Sequence, residues 1–187
     1  MGYKFNVKNC KRASVTADTS SSYTIATPVA MPAIRSIDIS FKTASGELYG
    51  DGEVVSNIAL LTGATLKLDT NKLTLADRAA FMGSTLTNDG ILDVATTDKP
   101  PKVAIYVEIE HDDGGYEAVW LLVGRAEPAN IGGQQKEQQI NYSTDTININ
   151  FIRREKDKKL LRLADTDDEN FTTVKQTAFA SSPDLAS

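Results

Sequence analysis

The strongest constraint on the fold is a pair of apolar stretches joined by a turn sequence at residues 102–125. In the first stretch, apolar residues occupy every second position: Val103, Ile105, Val107 and Ile109. A period of two is typical of a half-buried β-strand, whose successive side chains point to opposite faces. The sequence HDDGG at 111–115 then supplies the Asp and Gly residues that hairpin turns favour. We predict a β-hairpin with Glu108 and Glu110 on its wet face.

The second strand of this hairpin differs from the first because both of its faces are apolar. Val119, Leu121 and Val123 share one face. Trp120 and Leu122 share the other. A strand with two apolar faces is usually covered on both sides. We expect a helix, a second sheet or another subunit to cover it.

Alternation also predicts strands around 36–41, 64–69 and 146–151. The polar positions of the first and third of these strands are small and carry no Lys or Arg: Ser36, Asp38, Ser40, Thr146, Asn148 and Asn150. A short strand is expected at 3–8. The Ser-, Thr- and Ala-rich stretch 9–30 has no core signature, and we expect an extended arm or long loop there.

One helix is predicted within residues 74–83. Thr74 is a suitable N-cap, Asp77 is an acidic residue in the first turn, and Gly83 is a suitable C-terminal cap. The expected buried face consists of Leu75, Ala79 and Met82. The acidic run that begins at Asp165 favours a second, C-terminal helix.

These elements predict a mainly β fold: a β-sandwich or partly closed β-barrel with one flanking α-helix, extended arms or loops and a short C-terminal helix. We divide the chain into an N-terminal strand and arm (1–30), a β-sandwich domain (31–153) and a charged connector with a tail (154–187). The 187 residues are 41% hydrophobic, which is enough for one sizeable core. The sequence has no apolar run of about 18 residues, so we expect no membrane insertion.

The net charge of −5 is unevenly distributed. Residues 101–150 carry three Lys/Arg and eight Asp/Glu, whereas residues 1–50 carry six and three. Nucleic-acid-binding surfaces usually show a basic stripe. The basic run at 153–162 is interrupted by acidic residues and lacks aromatics, so a solvated loop or a salt-bridging surface between subunits is the better interpretation.

Residue types that carry catalysis or bind metals are sparse. His111 is the only histidine, and beside a turn we expect it to be solvated. Cys10 is the only cysteine, so an intrachain disulfide is impossible and a reducing cytoplasm is favoured. The acidic cluster at 165–169 lacks the central Gly of a calcium-binding EF-hand loop. We predict no catalytic residues, no metal and no cofactor.

Five segments follow one another in a recognisable order: IRSIDISF, GELYGDGE, GATLKLDTNKLTLADRAAFMG, EAVWLLVGRAEP and QQINYSTDTININF. Together they resemble the major tail protein family of long, non-contractile-tailed bacteriophages, particularly those that infect Gram-positive bacteria. The resemblance covers about residues 30–151. It rests on the order and spacing of the segments.

The resemblance implies a fold related to the type VI secretion tube protein and a structural role without catalysis. Such subunits form hexameric rings that stack into a hollow tail tube, in which the inner sheets of six subunits join into one β-barrel. The implied partners are further copies of the chain, the tape measure protein, and the tail terminator and distal tail proteins. DNA is implied as a non-specific passing cargo. The implied location is the virion, after assembly in the host bacterial cytoplasm.

A tube that conducts DNA should not bind it, so we expect a polar and net negative lumen. The residues assigned to the lumen are Ser36, Asp38, Ser40, Thr146, Asn148 and Asn150. Contacts between subunits or rings are assigned to the stretch 9–30, the region 42–62 and the C-terminal tail. Individual residues expected in such contacts are Glu47, Tyr49, Asp51, Glu53, Trp120, Arg153 and Arg154.

A β-sandwich module that binds a carbohydrate or a receptor is the alternative. Such modules favour an exposed aromatic platform, whereas Trp120, the only tryptophan, lies within an apolar strand. A small enzyme is a third class, and the scarcity of catalytic residue types argues against it.

Overall fold

The computed structural model describes residues 2–31, 33–50, 53–132 and 144–166. The strands in these ranges are β1 (Lys4–Asp18), β2 (Tyr23–Ile25), β3 (Val29–Ala30), β4 (Ile34–Gly50), β5 (Glu53–Thr70), β6 (Thr85–Leu86), β7 (Leu92–Asp93), β8 (Val103–His111), β9 (Tyr116–Ala126), β10 (Asp145–Ile152) and β11 (Leu161–Asp165). The helix α1 (Leu75–Met82) follows β5. The prediction of a mainly β, sandwich-like fold with one short helix is confirmed.

The main sheet is antiparallel and divides at β9. Its strand order is β2-β1-β8-β9-β10-β5-β4, with β3 on β1 and β11 on β9. The first half of β9, Glu117–Leu121, pairs with β11, and its second half, Val123–Ala126, pairs with β10. The sheet therefore branches at Leu122. In the described part of the chain the branches do not close into a barrel.

The two branches share one hydrophobic core. Leu66 and Leu68 of β5 belong to the same buried cluster as Ile105 and Val107 of β8. Their side chains come from the alternating positions that the sequence marked as apolar. Burial of these faces against each other stabilises the sandwich-like packing.

A second, smaller core covers the outer faces of β8 and β9. Trp120 is 1% exposed, and its ring lies 5.3 Å from that of Tyr106. Tyr23 of β2 belongs to this cluster and donates a hydrogen bond from its hydroxyl to the Leu122 carbonyl at 2.6 Å. Burial of β9 on both faces is thereby confirmed, and β2 supplies part of the cover.

The prediction that Glu108 lies on the wet face of the hairpin is wrong. Its side chain is 1% exposed, because the outer face of β8 lies against this second core. The carboxylate accepts hydrogen bonds from the Tyr106 hydroxyl and from Asn9 Nδ2, both at 2.6 Å. Glu110 is only partly buried and bonds to Asn6 and Lys8.

The N-terminal stretch 9–30 is not an arm without a core signature. β1 runs to Asp18 and pairs with β8, and Cys10, Ala13 and Tyr23 are buried. The pairing shifts register between Lys8 and Lys11, where Asn9 has a positive φ of 51°. Such a bulge breaks the period of two, which hides the strand from pattern analysis. The domain boundaries at residues 30 and 153 remain predictions.

The caps of α1 are confirmed, but its predicted buried face is wrong. Thr74 Oγ1 accepts a hydrogen bond from the Asp77 N–H, and Gly83 adopts the left-handed conformation at φ 72°. Leu75 is 48% exposed, and the buried residues are Asp77, Arg78 and Phe81. Asp77 and Arg78 are buried because each forms an ion pair with a residue of another segment. The pairs are Arg12–Asp77 at 2.8 Å and Arg78–Asp145 at 2.9 Å.

The connector after β10 is attached to the body of the protein by Arg154, contrary to the expectation of a solvated loop. The Arg154 side chain is 0% exposed, and its guanidinium lies 4.8 Å from the centre of the Tyr23 ring. Its Nε and Nη2 atoms donate to the two carboxylate oxygens of Asp157 at 2.6 Å each. These hydrogen bonds hold the pKa of the Asp157 carboxyl far below its ordinary value, against a smaller opposing effect of burial.

Asp157→Asn should lower the free energy of unfolding by about 2 kcal/mol at pH 7, because the buried guanidinium loses its carboxylate partner. The folded-state pKa of Asp157 lies below the unfolded value of about 4. The stabilisation is therefore present above that pH and is lost as the pH falls through the folded-state pKa. Urea denaturation at pH 7 and pH 3 should show the difference between the two proteins shrinking at pH 3. Glu155→Gln is the control, since Glu155 and Lys158 form an exposed pair. A constant difference at both pH values would contradict this account.

Gly124→Ala should destabilise the fold by about 1–3 kcal/mol through overpacking. A Cβ at this position would lie 2.6 Å from the Phe151 ring and 2.9 Å from Ile149 Cγ2, both in the core. Gly46→Ala is the matched control, because a Cβ on this strand glycine meets nothing within 4 Å. Chemical denaturation of the two variants tests the prediction. Equal losses in the free energy of unfolding would show that the contact with Phe151 does not cause the destabilisation.

Candidate functional site

The structure brings the six residues predicted for the lumen onto one side of β4, β5 and β10. Three rows of directly opposed residues cross these strands: Ser36/Asp69/Thr146, Asp38/Lys67/Asn148 and Ser40/Thr65/Asn150. Opposed residues in an antiparallel sheet share a face. The core residues Leu66 and Leu68 point to the other side. We call this three-strand surface the polar face.

Side-chain hydrogen bonds connect the strands across the polar face. Asn150 Oδ1 accepts from Lys42 Nζ at 2.6 Å and from Thr65 Oγ1 at 2.9 Å. Asn150 Nδ2 donates to Glu127 Oε1 at 2.7 Å. Asn148 Nδ2 donates to the other oxygen of Glu127 at 3.4 Å. The loop after β9 therefore contributes to the same surface.

The polar face is balanced in charge, whereas the sequence predicted a net negative lumen. The acidic residues on it are Asp38, Asp69 and Glu127, and the basic residues are Lys42, Lys67 and Arg125. Lys67 lies between Asp38 and Asn148 because β5 is the middle strand. The alternation around 64–69 placed Lys67 on a polar face. Only the pairing of the strands places it beside the predicted lumen residues.

The hairpin formed by β4 and β5 extends beyond the rest of the sheet. β10 pairs with β5 from Ala64 to Thr70, whereas β4 continues to pair with β5 as far as Gly50 and Glu53. Residues 43–50 and 53–61 form this part, which we call the hairpin extension. Gly46 lies within a strand there and pairs with Ile58.

The hairpin extension exposes apolar side chains. Ile58 is 57% exposed, Leu60 63% and Leu61 55%. Ile58 and Leu60 are two residues apart in one strand and therefore share a face. Exposed apolar patches are characteristic of contact sites for other molecules. Three of the residues predicted for subunit contacts lie in its strands: Glu47, Tyr49 and Glu53. Asp51 lies outside the described residues.

The other residues predicted for subunit contacts lie in different surroundings. The side chains of Trp120 and Arg154 are enclosed by their own chain, at 1% and 0% exposure. Arg153, by contrast, is exposed. Enclosure of Trp120 and Arg154 assigns them to the stability of the single chain.

Of the two candidate reactive residues, Cys10 is buried and His111 is partly buried. The His111 side chain, expected to be solvated, is 11% exposed, and its Nδ1 lies 3.9 Å from Asp165 Oδ2. Burial, and secondly the charge of Asp77, raises the pKa of the Cys10 thiol to about 12. A thiol in that state is a poor nucleophile. Within the described residues, no group of three or more His, Cys, Asp or Glu side chains is arranged to hold a metal ion.

A cleft of about 250 Å³ opens between β4 and β11. Apolar side chains, among them Ile39, Phe41 and Leu163, line it together with the charged residues Lys4, Asp38 and Glu117. Phe41 and Leu163 are 55% and 56% exposed, although Phe41 was expected on the buried face of its strand. The cleft was not predicted, because residues 153–162 have the composition of a charged connector and β11 begins within them, at Leu161. The helix expected from the acidic run lies outside the described residues, except that Asp165 belongs to β11.

Comparison with known proteins adds a distant likeness in fold. No family model matches the chain, and no curated protein matches it. Among solved structures, it is similar to the anti-feeding prophage cap, a tube terminating cap determined by cryo-EM. The TM-score is 0.45 and the identity 8%, over 88% of this chain and 94% of that chain. A likeness at this level carries no argument about function, and the tail-protein resemblance remains a prediction.

Within the ranges that the structure describes, no helix is long and apolar enough to cross a membrane.

Proposed function

We propose that this protein is a non-catalytic structural subunit of a phage-type tail tube. In this proposal its copies form hexameric rings that stack into a tube, and the polar face lines the lumen. The observation that carries the proposal is the polar face itself, which crosses three strands and reaches the edge strand β4. The proposal rests on that surface and on the sequence resemblance.

The composition of the polar face suits a channel for a polyanion. Its three rows of opposed residues contain no apolar side chain that would retain a passing chain. Its three acidic and three basic residues leave no net positive field to hold phosphates. The net charge of this face differs from that of a strongly negative lumen, which would repel DNA. A neutral polar surface lets DNA pass without either attraction or repulsion dominating.

Two features support association of the subunits. In the described part of the chain, β4 pairs only with β5 and β11 pairs only with β9, so each leaves one edge open. Open edges present unpaired N–H and C=O groups that favour pairing with another chain. The hairpin extension adds exposed apolar surface beyond the sheet. Contacts between different patches of identical subunits close into a ring when the rotation allows it.

The proposed partners follow from the tube. They are other copies of the chain, the tape measure protein in the lumen, and the tail terminator and distal tail proteins at the ends. DNA is the transient cargo, and the virion is the proposed location.

A module that binds a carbohydrate or a receptor is the second candidate. Enclosure of Trp120 removes the aromatic residue best suited to a binding platform. Tyr3 and Phe5, which are 82% and 67% exposed, are the observation that favours this candidate. A binding module would act without forming rings.

Electron microscopy of the purified protein at increasing concentration should show six-fold rings or tubes.

Leu60→Ser should weaken assembly strongly, because each contact made by the hairpin extension loses an apolar side chain worth about 2 kcal/mol when buried. The stability of the isolated subunit should change by less than about 0.5 kcal/mol, since Leu60 is exposed there.

Val94→Ser is the matched control for this test, because Val94 is an exposed apolar residue just after β7, outside the hairpin extension and outside the stretches assigned to subunit contacts. A wild-type protein that stays monomeric at all concentrations and salt conditions would rule out the tube. Tubes that form equally well with both variants would instead exclude the hairpin extension as the contact.

Asn148→Lys should leave assembly intact and slow the delivery of DNA, because each ring would gain six positive charges on the polar face. The measurement is the rate of genome ejection from virions that carry the variant. Thr96→Lys adds the same charge at an exposed turn residue outside the polar face and outside the stretches assigned to subunit contacts, and it should eject at the normal rate. Normal ejection by Asn148→Lys would show that the polar face does not line the lumen.

A further inference from the structure

Three basic side chains lie on the polar face, and two of them are bound to neighbouring groups of the same chain. Lys42 Nζ donates a hydrogen bond to Asn150 Oδ1 at 2.6 Å. Arg125 Nη1 donates a hydrogen bond to the Pro100 carbonyl. Each of these two cations therefore has an acceptor that holds it in place on the surface.

Lys67 is the third cation, and its ammonium group is not held in this way. The residue is exposed, and within the described residues its side chain forms no hydrogen bond or ion pair. Strand pairing places it between Asp38 of β4 and Asn148 of β10. The sheet therefore fixes the backbone of Lys67, whereas its ammonium group moves on a flexible four-carbon stem.

The charge opposite Lys67 offsets its ammonium group without holding it. Asp38 is exposed, and its carboxylate accepts a hydrogen bond from Ser40 Oγ at 3.2 Å. Opposite charges on an exposed pair attract each other weakly, because water and salt screen them. The row of Asp38, Lys67 and Asn148 thus has no net charge, but it carries a mobile positive group at its centre.

A mobile ammonium group on such a surface is suited to brief contact with a phosphate. Lysine binds phosphate as a point charge, so the contact does not require one fixed orientation of the ligand. A single ion pair with a backbone phosphate releases about one counterion and is therefore weak and sensitive to salt. The carboxylate of Asp38 beside it weakens the contact further.

We propose that Lys67 is the residue through which the polar face touches a passing nucleic acid. Its ammonium group forms a transient ion pair with a backbone phosphate, and Asp38 keeps that contact short-lived. The role of this contact in DNA delivery rests on the proposed function, in which the polar face lines the lumen. Ring symmetry would then place one copy of Lys67 from every subunit at the same level of the tube.

The contact is tested by NMR on the full chain, at a protein concentration at which it is monomeric, with a short single-stranded oligothymidylate added at low salt. Changes in amide chemical shift should cluster at Lys67, Asp38 and Asn148 and should fade as the salt concentration rises. Lys67→Gln should reduce these changes about threefold or more, because the ion pair is lost. Lys67→Arg keeps the positive charge and should retain them.

Lys72→Gln is the matched control, because Lys72 is an exposed lysine that follows β5 and lies outside the polar face. It removes the same charge and should leave the shift changes as they are in the wild type. The proposal is overturned if the wild type shows no shift changes on the polar face, if they persist in Lys67→Gln, or if they centre on residues 152–159.

Failure of the tube function would be seen separately, because the NMR experiment does not require rings. Shift changes at Lys67 in a protein that forms no rings by electron microscopy would refute the tube and leave the contact standing. In virions with normal tubes, Lys67→Gln should raise the rate of genome ejection and Lys72→Gln should not. An unchanged rate for Lys67→Gln would overturn the role of Lys67 in DNA delivery.

Discussion

The strand β9 is the element on which the rest of the structure depends. One of its edges pairs with β8, and its other edge pairs first with β11 and then with β10. Both of its faces are buried, with Leu121 in the main core and Trp120 in the smaller one. The central part of this strand, residues 118–123, is apolar throughout, because neither of its faces meets water there. The branch at Leu122 then separates β11 from β10, β5 and β4, and in the described part of the chain one edge of β4 and one edge of β11 have no strand partner.

The polar face follows from this arrangement, because the sandwich-like packing buries one side of β4, β5 and β10 and leaves the other side free. Hydrogen bonds through Asn150 and Glu127 then order the free side. The charges of Lys67 and Asp38, on neighbouring strands, oppose each other there. In the proposed tube, the core would provide rigidity, and the polar face would provide contact without strong binding.

Local rules explain the features that the sequence predicted well. The alternation along β4, β5 and β10 identified which side of each strand is apolar, because a strand has a period of two. Thr74 and Gly83 marked the ends of the helix, because unpaired backbone groups there need a particular side chain or conformation. The buried face of the same helix was missed. Its docking depends on Arg12 and Asp145, which are distant in sequence.

By itself, the sequence determined the strand-rich fold class, the two-sided burial of β9 and the polar character of the face, since all three depend on residue order within short segments. Only the tertiary structure decided that Glu108 and Arg154 are buried, that Lys67 joins the predicted lumen residues, and that a cleft opens beside β11. Each of these depends on pairing between segments far apart in the chain. Such pairing decides whether a polar side chain finds a partner away from water. The hydrophobic periodicity of a segment does not predict which distant segment it pairs with.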